Sequence, residues 1–421
     1  MKKVLLKAPL LTQSGYGHHG RTVLRALKSR EDLFDVYIQT IGWGHTSWLW
    51  ENNEERRWID ENLQKTIKFI RNGGTFDLSL QVTIPNEWEK LAPINIGITA
   101  GIETTKVAPQ WIEKSFLMDK IITISEHAKQ SYANTTYAPQ DPQFGQNEIK
   151  CQTPIDVVHY PVLEVEPENL DLDLKTKFNF LVVAQASPRK NIDKTIKCFI
   201  ENFKDNKDVG LVIKTNLAKN SLIDRNNIVS TFKQVLSNYE DYKCKIYILH
   251  GYMTEKEMAG LYTHPKIKAI VSSTHGEGFG LPLFEAAYYS LPIIATDWSG
   301  HLDFLYKPTQ AKNKKIKNKH MFSRVSYTLQ PVQKEAVWEG VIQPDSMWAH
   351  PEEGSLKMNM LELYKDHGRF KKRSKELQKY VKENFKEETQ YEQYVESIKS
   401  VCNFDTDKEI DDLFESLQEK R

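Results

Sequence analysis

Short apolar runs alternate along the chain with helix-length segments whose apolar residues recur every three or four positions. Val4-Leu5-Leu6 precedes a helix predicted from about Gly20 to Lys28, and the run from Lys120 to Ile124 precedes one opening near Ser125. Such alternation predicts a parallel sheet with crossover helices. The pattern restarts at Phe178-Asn179-Phe180-Leu181-Val182-Val183 and continues through residues 210–214, 245–249, 269–272 and 292–296, so a second doubly wound unit is expected there. Between the two lies Tyr160 to Glu168, a stretch of prolines and acids that reads as a linker. The expected organisation is therefore an α/β chain with a first unit over 1–170, a second over 171–385, and a helical tail over 386–421 whose candidate packing partner is the first unit. Residues 132–153 and 307–319 read as exposed loop insertions, the latter with six lysines. The tail from Gly368 should be helical, with breaks, to about Gln418.

Composition fits this picture. At 421 residues the chain exceeds what one hydrophobic core usually serves. With 40% hydrophobic and 27% charged residues it can bury two cores, and a formal net charge of +1 gives no global argument for a nucleic-acid or membrane partner. Cys151, Cys198, Cys244 and Cys402 form no CxxC pair and sit at no metal-ligand spacing, so neither a disulfide framework nor a metal centre is expected. The N-terminal apolar run is too short for a signal peptide and no later run suits a membrane span, which reads as a cytoplasmic protein without integral membrane association.

The richest chemistry lies in Ser273-Thr274-His275-Gly276-Glu277-Gly278-Phe279-Gly280-Leu281-Pro282-Leu283-Phe284-Glu285. A strand ends, glycines permit a tight turn and close backbone approach, and Pro282 suits a helix start. A helix opening of this kind presents N–H groups and the positive end of a dipole to an anion such as a diphosphate. Glu277 before the turn and Glu285 one turn inside the helix could both face that ligand; taken alone they could equally be solvated acids. The second element is Gln185-Ala186-Ser187-Pro188-Arg189-Lys190-Asn191, after the first strand of the second unit, where doubly wound sheets bind ligands. Cations at a helix start are disfavoured unless an anion is bound there, and Arg189 with Lys190 could neutralise a diphosphate.

These two elements, with Lys214-Thr215-Asn216 and His250-Gly251-Tyr252 after the following strands, resemble the donor half of GT-B glycosyltransferases, in particular the retaining family-four branch. The resemblance implies two Rossmann-like units facing a cleft, a nucleotide-diphosphate sugar as co-substrate, and no permanently bound cofactor or catalytic metal. It implies that Glu277 serves the donor sugar, Glu285 the ribose hydroxyls, and Arg189 and Lys190 the diphosphate, with Ser187, Lys214, Gly278, Phe279, Gly280 and Leu281 alongside. His250, Gly251 and Tyr252 would border the nucleobase, leaving UDP- and GDP-sugars open. The likeness extends into Trp298 to Asp303 and departs at Ser290, where the family commonly has glycine.

The first half matches more loosely. Gly15, Gly17 and Gly20 stand where the family has a glycine-rich loop near the donor phosphates, although the same spacing also fits the weak dinucleotide fingerprint. Asn95 to Thr105, Trp111 and Ile121 to Lys129 resemble the family's acceptor domain, making Glu103 a candidate cleft acid and His127 a weaker one. Trp43 and Trp48 lie in an aromatic loop that could stack on an acceptor, with core packing as the alternative. The acidic pairs Asp171/Asp173 and Asp405/Asp407 read as solvated charges. For the acceptor, a glycan, lipid-linked sugar or small molecule is the general expectation. The stretch Val82 to Trp88 with Gly97 to Thr105 is also similar to predicted glycosyltransferases of tailed phages, some of which glycosylate hydroxymethylated cytosines. That similarity and the lysine-rich insertion keep DNA open as an acceptor, in a host cytoplasm. A nucleotide-sugar epimerase and a non-catalytic sugar-nucleotide sensor are rival readings on the same architecture.

Overall fold

The apolar runs become strands of two parallel sheets, each covered by the helices between them. The computed structural model describes residues 1–138, 148–310, 316–402 and 404. The first unit contains β1 (Lys2–Ala8), α1 (Gly15–Lys28), β2 (Phe34–Thr40), α2 (Glu54–Arg71), β3 (Leu78–Val82), β4 (Ile94–Thr99), α3 (Pro109–Ser115), β5 (Lys120–Thr123), α4 (Glu126–Asn134), the short pair β6 (Thr136–Tyr137) and β7 (Ile149–Lys150), and β8 (Ile155–Val157). The second begins with β9 (Phe178–Val183), α5 (Ile192–Phe203), β10 (Val209–Thr215), α6 (Leu222–Leu236), β11 (Lys245–His250), α7 (Glu255–Thr263), β12 (Ile267–Ser272), α8 (Leu281–Tyr288) and β13 (Ile293–Thr296). It continues through α9 (Leu302–Leu305), β14 (Tyr306–Gln310), β15 (Ile316–His320), β16 (Ser323–Val325), β17 (Tyr327–Pro331), β18 (Met347–Pro351), α10 (Glu353–Lys365) and α11 (His367–Asn384). After it comes α12 (Glu387–Lys399).

The first sheet runs β2-β1-β3-β4-β5-β8 and the second β11-β10-β9-β12-β13-β16, all parallel. In the second, chain order reverses between β9 and β12. Doubly wound sheets bind ligands at such a switch point, beyond the carboxyl ends of the strands. The loops leaving β9 and β12 carry Arg189-Lys190 and Glu277, so topology alone brings these distant segments together.

Helix α1 begins at Gly15, not near Gly20. Ser14 caps it, its Oγ accepting from Gly17 N at 2.9 Å. Gly15, Gly17 and Gly20 are thus helical residues rather than a loop. Packing accounts for two of them: a Cβ on Gly17 would collide with the Thr12 carbonyl, and one on Gly20 would press on Ala8 and Leu10, whereas one on Gly15 would meet open space. The lysine-rich insertion is a hairpin rather than a bare loop, with β14 antiparallel to β15; residues 311–315 lie outside the described residues. The segment read as a loop over 132–153 holds the end of α4 and the pair β6–β7, with 139–147 likewise outside.

Among the described residues no helix or strand occurs between β8 and β9. Helix α12 packs on α1: Tyr394, Val395 and Ile398 join the core of the first sheet, and Tyr394 Oη lies 2.9 Å from buried His19 Nε2. Residues 403 and 405–421, including Asp405, Asp407 and the predicted helix toward Gln418, lie outside the described residues. Asp173 is exposed and pairs with Lys175. Cys151, Cys198 and Cys244 are free thiols. Among the described residues no helix is long and apolar enough to cross a membrane, and no three or more His, Cys, Asp or Glu side chains are grouped to hold a metal ion.

Candidate functional site

After β9 the chain makes a short 3-10 turn, Pro188–Lys190, and Asn191 adopts a left-handed conformation (φ 53°) before α5. Arg189 and Lys190 therefore precede the helix instead of entering it. Asparagine tolerates this φ better than most residues, and its Nδ2 donates to Ser273 O at 3.1 Å, tying the turn to the end of β12. A backbone bond from His275 N to Arg189 O, 2.9 Å, completes the tie.

Across it the side chains converge. Lys190 Nζ donates to Glu277 Oε1 at 2.6 Å, and Arg189 Nη1 donates to Gly276 O at 2.6 Å and to Glu277 Oε2 at 3.3 Å. From the first unit, Glu103 brings Oε1 to 3.6 Å from Arg189 Nη2. Two cations and two carboxylates thus meet between the units, Glu277 buried and Arg189, Lys190 and Glu103 half-buried. Burial alone would raise the Glu277 carboxyl, but Lys190 and Arg189 outweigh it and hold it down at about 2. Burial dominates at Glu103 and pushes its carboxyl up, with Arg189 opposing. The Glu277 main chain is pinned as well: its N–H donates to Ser299 Oγ (2.8 Å) and its carbonyl accepts from Gly300 N (2.9 Å).

The glycines beside Glu277 serve the contact between units. A Cβ on Gly276 would strike the Glu103 carbonyl and one on Gly278 the Ala100 carbonyl. Gly280 is the residue that needs glycine for conformation (φ 91°), and it caps α8 without a side-chain bond. Pro282 takes the second position of that helix. Phe279 points away into the core against Tyr160, Phe284 and Phe304.

A cleft of about 1020 Å³ runs between the units, and Arg189, Lys190, Glu103 and Glu277 are not among the residues that line it. Glu285, Lys214, Gly251, Tyr252 and Leu281 line it from the second unit, Gly15 and Trp43 from the first. Glu285 accepts from Tyr262 Oη at 2.7 Å, and burial lifts its carboxyl to about 7, with the Tyr262 bond opposing. Lys214 Nζ donates to Gly251 O. His250 lies 2.7 Å from Asp224 and does not line the cleft, which Gly251 and Tyr252 of the same segment border. Ser187 is exposed, and neither it nor Gly17 lines the cleft.

Of the acceptor candidates, Glu103 reaches the charged cluster. His127 packs edge-on against Trp298 at 4.9 Å; burial lowers it to about 4, and its Nε2 is buried without a partner. Trp43 stacks on Tyr16 at 4.1 Å, whereas Trp48 is 54% exposed. Sequence reasoning missed several contributors. Asp224 accepts from the N–H groups of Leu217, Ala218 and Lys219 and so shapes the loop after β10. Arg21 and Arg25 line the cleft from α1, and Tyr252 Oη donates to Glu51 of the first unit at 2.9 Å. None carried a motif; only the position of α1 beside the cleft would have revealed the arginines.

The fold is that of a two-Rossmann-unit protein of the GT-B kind, with the charged cluster at the switch point of its second unit. Residues 171–310 match the family model described as "Glycosyl transferases group 1". The "Serotype-specific mannosyltransferase WbdA" of Escherichia coli is 30% identical over 119 residues, which is 28% of this chain and 13% of that relative's length. A solved "Sucrose-phosphate synthase" from Thermosynechococcus elongatus superimposes with a TM-score of 0.59 at 12% identity, over 95% of this chain and 99% of that one. Anabaena HepE, solved with UDP-glucose, gives 0.56 at 12% identity, over 95% and 100%.

Proposed function

We propose that the chain is a nucleotide-sugar-dependent glycosyltransferase whose second unit holds a UDP- or GDP-linked donor while the first brings an acceptor hydroxyl to it. The observation that carries the reading is the convergence of Arg189 and Lys190 on Glu277 at the switch point, on the loops whose Gln185 and Leu281 line a cleft with room for a nucleotide sugar. Arg189 and Lys190 take the diphosphate, each charge-assisted bond contributing about 1.5–3 kcal/mol, and stabilise it as it departs. Glu277, ionised at neutral pH, accepts from hydroxyls of the donor sugar. Glu285 receives the ribose hydroxyls, and the backbone at Gly251 and Tyr252 borders the base.

The acceptor enters from the side of Glu103 and His127. Retention of anomeric configuration is the outcome the family resemblance implies, checked by NMR of the product anomer. Among the described residues of the β14–β15 hairpin, Lys307, Lys317 and Lys319 line no part of the cleft.

Calorimetric titration of UDP and GDP into wild type and an Arg189→Ala, Lys190→Ala variant tests the donor site. Base-selective binding lost in the variant supports it. Binding of neither nucleotide by folded wild type, or equal binding by the variant, overturns it.

A further inference from the structure

Strand β18 touches both units through alternate residues. Met347 N donates to Thr105 Oγ1 at 3.0 Å and Met347 O accepts from Thr105 N at 2.9 Å, two residues beyond Glu103. Ala349 N donates to His275 O at 3.0 Å and Ala349 O lies 2.6 Å from His275 Nδ1, two residues before Glu277. The intervening Trp348 stacks on the His275 ring, 4.8 Å between centroids and 11° between planes. The loop between β17 and β18 reaches further: Gly340 O accepts from Asn86 Nδ2 and Trp111 Nε1, both at 3.0 Å, and Asp345 pairs with Lys106. One arm of the second unit thus splints the segment bearing Glu103 to the segment bearing Glu277.

The splint fixes the main chain around Glu103, while its side chain is held loosely. Glu277 is hydrogen-bonded to Lys190 at 2.6 Å, but Glu103 meets Arg189 at 3.6 Å, beyond hydrogen-bond length. Two carboxylates already balance the two cations, so an arriving diphosphate meets an anion on the guanidinium it needs. Mutual repulsion favours departure of the carboxylate with the weaker hold. A carboxylate released there, on a fixed main chain between the units, is placed to accept a hydrogen bond from a hydroxyl approaching the sugar.

We propose that Glu103 holds the diphosphate's place on Arg189 until the donor binds, and that its displaced carboxylate then positions the attacking hydroxyl. This rests on the donor-site reading above. The test is calorimetry with UDP and GDP, together with hydrolysis of UDP-glucose and GDP-mannose in which water is the acceptor, on wild type, Glu103→Gln, Glu103→Asp, Arg189→Gln and the Glu103→Gln/Arg189→Gln double variant. Near-UV circular dichroism checks folding, and the shorter side chain of the Glu103→Asp variant withdraws the charge without removing it.

Glu103→Gln should bind nucleoside diphosphate about tenfold more tightly, on the scale of one partly buried ion pair, while its hydrolytic kcat falls about tenfold or more. Glu103→Asp should shift binding the same way by less. Equal or weaker binding by folded Glu103→Gln, unchanged turnover, or tightening that persists on the Arg189→Gln background overturns the proposal and leaves the donor site standing. If wild type binds neither nucleotide, the donor site and the proposal fall together.

Discussion

Replacing Gly278 by alanine tests whether the units must meet as closely as they do. A Cβ there would sit roughly 1 Å inside the 3.0 Å approach that such atoms tolerate, against the Ala100 carbonyl of the first unit. Neither partner is a flexible side chain, so the units must part by about 1 Å at this point. A displacement of that size at a reacting centre costs on the order of 100-fold in rate, whereas a ligand held by the second unit alone loses little affinity. Gly278→Ala should therefore lower kcat for sugar release from the donor by about 100-fold while nucleoside diphosphate affinity changes no more than about threefold. Steady-state kinetics with a discontinuous sugar-release assay, paired with calorimetry, reads both. Gly276→Ala, whose Cβ meets the Glu103 carbonyl, should act in the same direction less severely. Full turnover by a folded Gly278→Ala protein would refute the claim that catalysis occurs in this closely apposed state.

Further outcomes follow from three particular residues. The Glu285 carboxyl is raised to about 7, so it favours the folded protein while protonated and that contribution is lost as pH rises from the ordinary carboxylate range through about 7; melting curves from pH 4.5 to 8 should show this loss and Glu285→Gln should flatten it. If the ionised carboxylate takes ribose hydroxyls, nucleotide affinity should rise over the same interval in wild type only. Ser290 carries a φ of 58°, so Ser290→Gly should stabilise the protein by about 1 kcal/mol in urea titrations, even after losing a 3.3 Å contact to Ser374 Oγ. Tyr394→Phe strips buried His19 of its Nε2 partner and should cost about 1–3 kcal/mol, seen as a lower Tm.

Both sheets are legible in the sequence because their central strands are buried on both faces and read as mostly apolar runs, as Phe180 to Val183 does. The meeting of Arg189, Lys190 and Glu277 is legible as two strand-end motifs, and strand order explains why they touch. The departure at Ser290 also has a physical account, since it is a left-handed residue at the end of α8 where glycine carries no Cβ penalty. The role of Gly276 and Gly278 is not readable, because local sequence cannot tell a glycine that faces a ligand from one that faces another domain. The start of α1 is displaced from its predicted position because glycine lowers helix propensity, and only the approach to Thr12, Ala8 and Leu10 explains its use there. The arm from β17 to β18 leaves no trace in the sequence pattern: its partners Thr105, Asn86 and Trp111 lie more than two hundred residues away, and backbone bonds leave no compositional mark.

The path of α12 changes what a modular exchange of this protein would require. The chain leaves the first unit after β8, builds the second, and re-enters the first when Tyr394 docks on His19. The second unit is therefore an insertion within the first rather than a bead following it on a string. A chimera that exchanges the second unit needs two junctions, one in the element-free stretch after β8 and one between α11 and α12. A single crossover would leave the first unit with a foreign helix in its core, or with none.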